Sequence, residues 1–207
     1  MQRGLLVCAV LLATVATAAE KEASPEAEAR QTFVGLAPIP LGRGLVAIDA
    51  EHAVGPRLSL RTGIRIGAGV SKSQAAAGDG GNATLNLSVE PGLRYYVTGT
   101  ALDGLWIGPH LELAYGLFDN ENVQGTDTFK SHGRNWSAGV GALVGYSMVV
   151  SRGLTVQAGV GLGAAYMWDR STMQGLELPS GQPTETEFSS RRWGVSERAT
   201  LAVGWSF

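Results

Sequence analysis

The chain has 207 residues, and 16 Lys+Arg against 18 Asp+Glu give a formal net charge of −2 at pH 7. This near balance does not favour nucleic acid as a partner. The single cysteine, Cys8, lies in an N-terminal leader, so the rest of the chain has neither a disulfide scaffold nor a thiol nucleophile.

The first 19 residues have the organisation of a secretory signal peptide. Arg3 supplies a positive charge, residues 4–16 form an apolar run, and Ala16-Thr17-Ala18 offers small residues at a cleavage site. The apolar run is shorter than the roughly 20 residues that a membrane-spanning helix needs. We therefore expect residues 1–19 to be removed during export.

One domain is expected over residues 31–207, after a charged linker over residues 20–30. No segment after residue 20 has a sustained apolar period of 3.6, so helices are not expected. Segments with an apolar residue at every second position predict eight strands. These segments are 31–39, 44–54, 58–70, 82–97, 105–118, 134–150, 153–168 and 191–207.

The connections between these strands alternate in length. On one side they are short: Gly55-Pro56-Arg57, Thr98 to Gly104, and Ser151-Arg152-Gly153, a three-residue hairpin in which Gly153 can take a positive φ. On the other side, after a short connection at Pro40 to Arg43, come the long polar segments 71–81, 119–133 and 169–190. This asymmetry is typical of outer-membrane barrels, so the long segments are expected to be extracellular loops.

The last segment has the clearest two-faced pattern. From Trp193 to Phe207 the odd-numbered residues are apolar except Glu197, whereas the even-numbered residues are small or polar. Trp193 and Trp205 would lie roughly 28 Å apart in height, close to the apolar band of an outer-membrane barrel. The terminal Phe207 resembles the C-terminal signature of bacterial outer-membrane β-barrels, which implies that the barrel-assembly machinery recognises it.

Aromatic residues are expected to form two belts, because amphipathic rings settle at the two lipid interfaces. Ordinary core aromatics would not segregate by strand end. The outer belt would hold Tyr115, Trp136, Tyr166, Trp168 and Trp193, and the periplasmic belt Tyr95, Tyr146, Trp205 and Phe207.

Charged residues within the strands fall mainly on the face opposite the apolar rows. Eight strands leave an interior just wide enough for side chains, so we favour a salt-bridge plug over an ion path. Glu51 is expected directly opposite Arg61. The inward set comprises Asp49, Glu51, Arg61, Arg65, Glu90, Arg94, Glu112 and Arg198.

Four residues fit this pattern poorly. His52 and Glu197 fall on the apolar face, and a β-bulge that shifts the register would move either one inward. Pro91 and Pro109 lie within strands, where each removes a ladder hydrogen bond.

Some eight-stranded outer-membrane barrels modify lipid A with a histidine and a serine near the outer rim. None of the three histidines has a serine two residues later, and His132 with Ser131 and Asp127 falls in a predicted loop, a poor place to hold a catalytic geometry. The run 119–122 lacks EF-hand spacing, with Lys130 at the position of the bidentate glutamate. We therefore expect no enzymatic activity, cofactor or metal.

Over residues 31–207 the chain resembles the OmpA/OmpX-like small outer-membrane barrels. The resemblance rests on the signal peptide, the even number of strands, the two aromatic belts and the terminal Phe207. The resemblance implies an all-β, eight-stranded antiparallel up-and-down transmembrane barrel in a Gram-negative outer membrane, among lipids that include lipopolysaccharide. The expected role is structural, or surface interaction with an unidentified extracellular ligand through the loops. The alternatives are a narrow channel for small solutes or ions, a lipid-A-modifying enzyme, and a soluble periplasmic lipid carrier with the barrel faces reversed.

Overall fold

A computed structural model describes residues 30–38, 45–75, 78–124, 127–177 and 182–207. The predicted signal peptide, the predicted linker before Arg30 and the connection at Pro40 to Arg43 lie outside these residues. No helix in the described part of the chain has the length and hydropathy needed to cross a bilayer.

Eight strands form one closed sheet, in which each strand is antiparallel to its neighbours in chain order and the last pairs with the first. The predicted eight-stranded antiparallel up-and-down barrel is therefore confirmed. The strands are β1 Thr32–Leu36, β2 Leu45–Gly55, β3 Leu58–Ala75, β4 Gly78–Tyr96, β5 Gly104–Gln124, β6 Asp127–Ser151, β7 Leu154–Glu177 and β8 Gln182–Ser206.

The strands are staggered around the barrel. A path of paired residues that starts at Val203 of β8 returns to the same strand at Trp193, ten residues earlier. With eight strands, this stagger corresponds to a tilt of about 40° from the barrel axis. The resulting interior is narrow enough for side chains to fill.

The described residues of the three long segments predicted as loops are instead paired strands, so the prediction of loops there is wrong. The pairing between β5 and β6 continues through Glu121 and Lys130 to Gln124 and Asp127. Likewise β3 and β4 pair up to Ala75, and β7 and β8 up to Glu177. Apolar alternation marks only the part of a strand that faces lipid, whereas backbone pairing continues through polar residues. The segments are therefore hairpin extensions.

The first two strands are much shorter than the rest. β1 pairs with β8 only from Val203 to Ser206, and β2 pairs with β3 only up to Gly67. Among the described residues, β4 to β8 therefore rise roughly 15–30 Å beyond the predicted outer aromatic belt, while β1 and β2 end below it. One side of the projecting sheet is thus lower than the other.

No bulge moves His52 or Glu197 inward, so the suggested register shift is wrong for both. His52 pairs with Leu60 in an unbroken register, and its Nδ1 lies 3.0 Å from Oγ1 of Thr32. Glu197 pairs with Leu162, and its side chain is exposed on the outer face. Register shifts occur instead beside two of the short turns, at Ala53/Gly55 and Val149/Ser151.

Pro91 and Pro109 remain inside β4 and β5, where they interrupt the pairing of these two strands. Paired residues are regular up to Val89 with Leu113, and then only Gly92 with His110 and two pairs nearer the turn remain. Since proline has no N–H to donate, a thinned ladder is the expected consequence.

The turn between β6 and β7 has two residues instead of the three predicted, because Ser151 pairs with Leu154. Gly153 does take a positive φ of 110°, and Arg152 takes 44°. Two consecutive positive φ angles match the twist of a tight hairpin.

Candidate functional site

The exterior of the barrel is apolar. Large apolar side chains on the outer face of regular strands are exposed: Val195 by 81%, Trp193 by 74% and Leu162 by 62%. Outward positions also hold all the residues assigned to the two aromatic belts, and Tyr115 packs edge-on against Trp136 with centroids 4.8 Å apart. The predicted belt residues are Tyr95, Tyr115, Trp136, Tyr146, Tyr166, Trp168, Trp193, Trp205 and Phe207.

The interior, by contrast, is charged, and a first layer of polar groups surrounds Glu51. Glu51 is 2% exposed and forms an ion pair with Arg94. The hydroxyl of Tyr96 donates to Glu51 at 2.7 Å, and Nε2 of Gln157 donates to it at 2.8 Å. Ser59 donates a further bond. This buried carboxylate therefore has partners from four other side chains.

A second layer surrounds Glu90, farther toward the hairpin extensions. Arg65 forms an ion pair with Glu90, and nitrogens of Arg61 and Arg198 lie 3.9 and 3.6 Å from its oxygens. Arg61 also pairs with Asp49, and Arg198 with Glu112. The two layers contain four acidic and four basic groups, so their charges balance.

The structure thus brings together all eight charged residues that the sequence placed inward. Glu51 does lie opposite Arg61 in the register, as expected. However, its ion-pair partner is Arg94, while Arg61 reaches Asp49 on the neighbouring strand. Long arginine side chains pair diagonally here, which strand register alone does not determine.

An apolar floor closes the barrel below these layers. Phe33, Leu102 and Ala202 form one fully buried cluster, and Leu102 is only 1% exposed although it belongs to a turn. A hydrogen bond of 2.8 Å from the Ala101 N–H to the Pro56 carbonyl connects this turn to the turn between β2 and β3. Leu102 takes a φ of 75°, which few residues other than glycine adopt.

Two aromatic residues in the interior were missed by sequence analysis. Tyr96 and Trp106 are 0% exposed, and the guanidinium of Arg94 stacks over the Trp106 ring at 3.8 Å. Both occupy inward positions by strict alternation, so the signal was present in the sequence. They join the charged layers to the apolar floor.

Above the charged layers lies a chamber of ≈ 1130 Å³. Arg65, Glu112 and Arg198 form its lower end, and the side-chain amides of Asn86 and Asn135 line its wall. In the described ranges, no group of His, Cys, Asp or Glu side chains is arranged to hold a metal ion.

The three histidines lie far apart. His52 faces outward near the end of the barrel with the short turns, whereas His110 faces inward, is 7% exposed and packs against Gly141. His132 and Ser131 are consecutive residues of β6 and therefore point to opposite faces. A hydroxyl and a base on opposite faces are poorly placed for joint catalysis.

A comparison with protein families identifies a match over most of the barrel. The family model described as "Protein of unknown function (DUF3575)" matches residues 43–206. The chain belongs to this family. The DUF3575 match covers β2 to β8 and includes all eight charged residues of the two layers.

No curated protein matches the sequence. Among solved structures, the chain is similar to a major outer membrane protein from Thermus thermophilus, with 15% sequence identity and a TM-score of 0.48. This similarity covers 86% of the chain and 99% of the Thermus protein.

Proposed function

We propose that this chain is a non-enzymatic integral barrel of the bacterial outer membrane, with a plugged lumen and rigid extracellular hairpins. The observation that carries the proposal is the reversal of polarity across the wall. Val195 and Leu162 are exposed on the outer face, whereas Glu51 and Arg94 are buried inside. Such a wall is stable when lipid surrounds it and polar groups are enclosed.

This arrangement is opposite to that of a soluble lipid carrier, which needs an apolar interior and a polar exterior. It also disfavours a channel, because paired charges fill the lumen above an apolar floor. The separation of Ser131 from His132 favours a non-enzymatic barrel. On this proposal, Phe207 remains the assembly signal, and outer-membrane lipids including lipopolysaccharide are the surroundings.

The resemblance to OmpA/OmpX-like barrels is part of the proposal. Eight strands, a stagger of ten residues and paired hairpin extensions support it. The functional surface would then be the extensions β5–β6 and β7–β8, which present fixed side chains to the outside. A structural or surface-interaction role requires no passage through the lumen.

Planar-bilayer recordings of the refolded protein test the plugged lumen. We expect no large, steady conductance, since the charged layers and the floor both block the path. A stable pore of porin size would contradict the proposal. The double variant Glu51→Ala with Arg94→Ala removes the centre of the first layer while keeping the charges balanced, and it should also show no large conductance, because the second layer and the floor remain.

A further inference from the structure

The hairpin extensions differ from the barrel wall, because their outer face is largely polar and their inner face is partly apolar. Among the described side chains of β5 to β8, the outward positions of the extensions are polar except Val123, and they include two ion pairs, Glu121 with Lys130 at 3.3 Å and Arg170 with Glu187. The inward positions hold polar residues such as Asn120 and Ser131, together with four large apolar side chains. These are Phe118, Phe129, Met173 and Phe188, from β5, β6, β7 and β8.

The four apolar side chains lie on one continuous face. The pairing of β5 to β8 has no register shift within the extensions, so alternation is preserved from the charged interior upward. Phe118 lies over Gly133 of the next strand, and Phe129 over Gly175, where a Cβ would approach its ring to 3.0 Å. Glycine thus makes room for each ring to lie along the sheet.

This face remains accessible. Phe188 is 51% exposed and Met173 46% exposed, because β1 and β2 end below this level in the described residues. Two large apolar side chains are thus about half exposed on the inner face of the projecting sheet, which makes this face a candidate binding surface. Methionine adapts its shape to different partners, which suits a ligand site.

A hollow of ≈ 550 Å³ lies on this face, within the range of small-molecule sites. Phe129 and Met173 form its apolar part, and the side chains of Asn82 and Asn120 supply its polar edge. A side-chain amide both donates and accepts hydrogen bonds but carries no charge. The charged neighbours Glu121 and Lys130 neutralise each other.

We propose that this hollow binds a neutral amphipathic small molecule from outside the cell, one with an aromatic or aliphatic body and an uncharged hydrogen-bonding group. The body packs against Phe129 and Met173, and the polar group bonds to Asn120. The floor of the barrel is closed, so the ligand enters and leaves on the outer side. This inference rests on the proposed membrane orientation, which places the hollow outside.

Equilibrium dialysis with the refolded barrel in lipid nanodiscs tests the proposal with 2-naphthamide, a neutral aromatic amide. We expect saturable binding to one site per barrel, above the uptake of empty nanodiscs. The double variant Phe129→Ser with Met173→Ser should weaken this binding at least tenfold. The double variant His132→Ser with Thr172→Ser changes outward residues of the same two strands and should leave binding within twofold.

Two further comparisons test the chemistry. Asn120→Ala should weaken binding of 2-naphthamide about fivefold but leave binding of naphthalene unchanged. The anion 2-naphthoate should bind more weakly than the amide, and equal or tighter binding would overturn the neutral class. Uptake that equals that of empty nanodiscs, or is the same in both double variants, would overturn the site itself.

A second copy of the chain is the competing occupant of this face. If the barrel forms a dimer that the Phe129→Ser and Met173→Ser changes dissociate, the face is an interface between copies and the small-molecule proposal is wrong. Each of these results is independent of the bilayer recordings, so the site can fail while the plugged barrel stands.

Discussion

At the scale of single residues, Glu51 is the centre of a buried set of polar partners in the lumen. Its carboxylate meets Arg94, Tyr96, Gln157 and Ser59 while almost fully buried. Removing one member of a buried ion pair leaves the other charge without compensation, which destabilises more than the pair itself stabilises.

Glu51→Ala should therefore lower the free energy of unfolding by about 3–5 kcal/mol. Urea unfolding of the refolded barrel, followed by tryptophan fluorescence, measures this change. Glu121→Ala is the matched control, because its ion pair with Lys130 lies in solvent and contributes at most about 1 kcal/mol. Equal losses in the two variants would contradict the buried network.

Leu102 combines full burial with a φ of 75°. Leu102→Ala should lower the free energy of unfolding by about 2–4 kcal/mol, because it leaves a cavity beneath the barrel. Leu102→Gly should be at least as stable as Leu102→Ala, since glycine adopts this φ without strain. The same unfolding measurement compares the two, and a glycine variant clearly less stable than the alanine variant would contradict the strained turn.

At the scale of elements, sequence alternation identified all eight strands but not where they end. The predicted strand ends at the short turns were close to the observed ones, as for β7 at Leu154, because glycine and proline mark those turns. At the opposite ends of the strands the predicted bounds differ from the observed ones by several residues. For example, β6 begins at Asp127 instead of near 134. Polar residues pair through their backbones as well as apolar ones do, so composition gave no sign of the extensions.

Amide hydrogen exchange measured by NMR distinguishes strands from loops in these segments. We expect the N–H groups that bond across the β5–β6 ladder near Asn120 and Ser131 to be protected, because those residues are paired. The amides around Pro91 and Pro109 should exchange faster than those of the β6–β7 ladder, where pairing is continuous. Exchange within minutes throughout 119–133 would restore the loop interpretation.

The sequence also predicted which charged residues share the interior, because strict alternation assigns each one to a face. It did not predict their pairing, as for Arg61 with Asp49, since long side chains reach beyond their direct cross-strand neighbours. The inward aromatic residues Tyr96 and Trp106 followed the same alternation but were overlooked among the polar set. The apolar face of the extensions could not be predicted from the sequence, because it depends on the strand pairing within 119–133 and 169–190, which the structure shows.

At the scale of the whole molecule, closure of the sheet should make the protein heat-modifiable. An unboiled sample is expected to migrate differently from a boiled one on a denaturing gel, because the ladder from β1 through β8 is closed by the pairing of β1 with β8. Identical migration of the two samples would contradict a stable closed barrel.

The central claim is that the apolar face of the wall meets acyl chains while the charged face is enclosed. Tryptophan quenching tests it directly, with two single-tryptophan variants refolded into lipids brominated near the glycerol end of the acyl chains. Trp205 alone, 49% exposed on the outer face, should be strongly quenched. Trp106 alone, 0% exposed beneath Arg94, should not be quenched. Strong quenching of Trp106 with none of Trp205 would mean that the two faces are reversed.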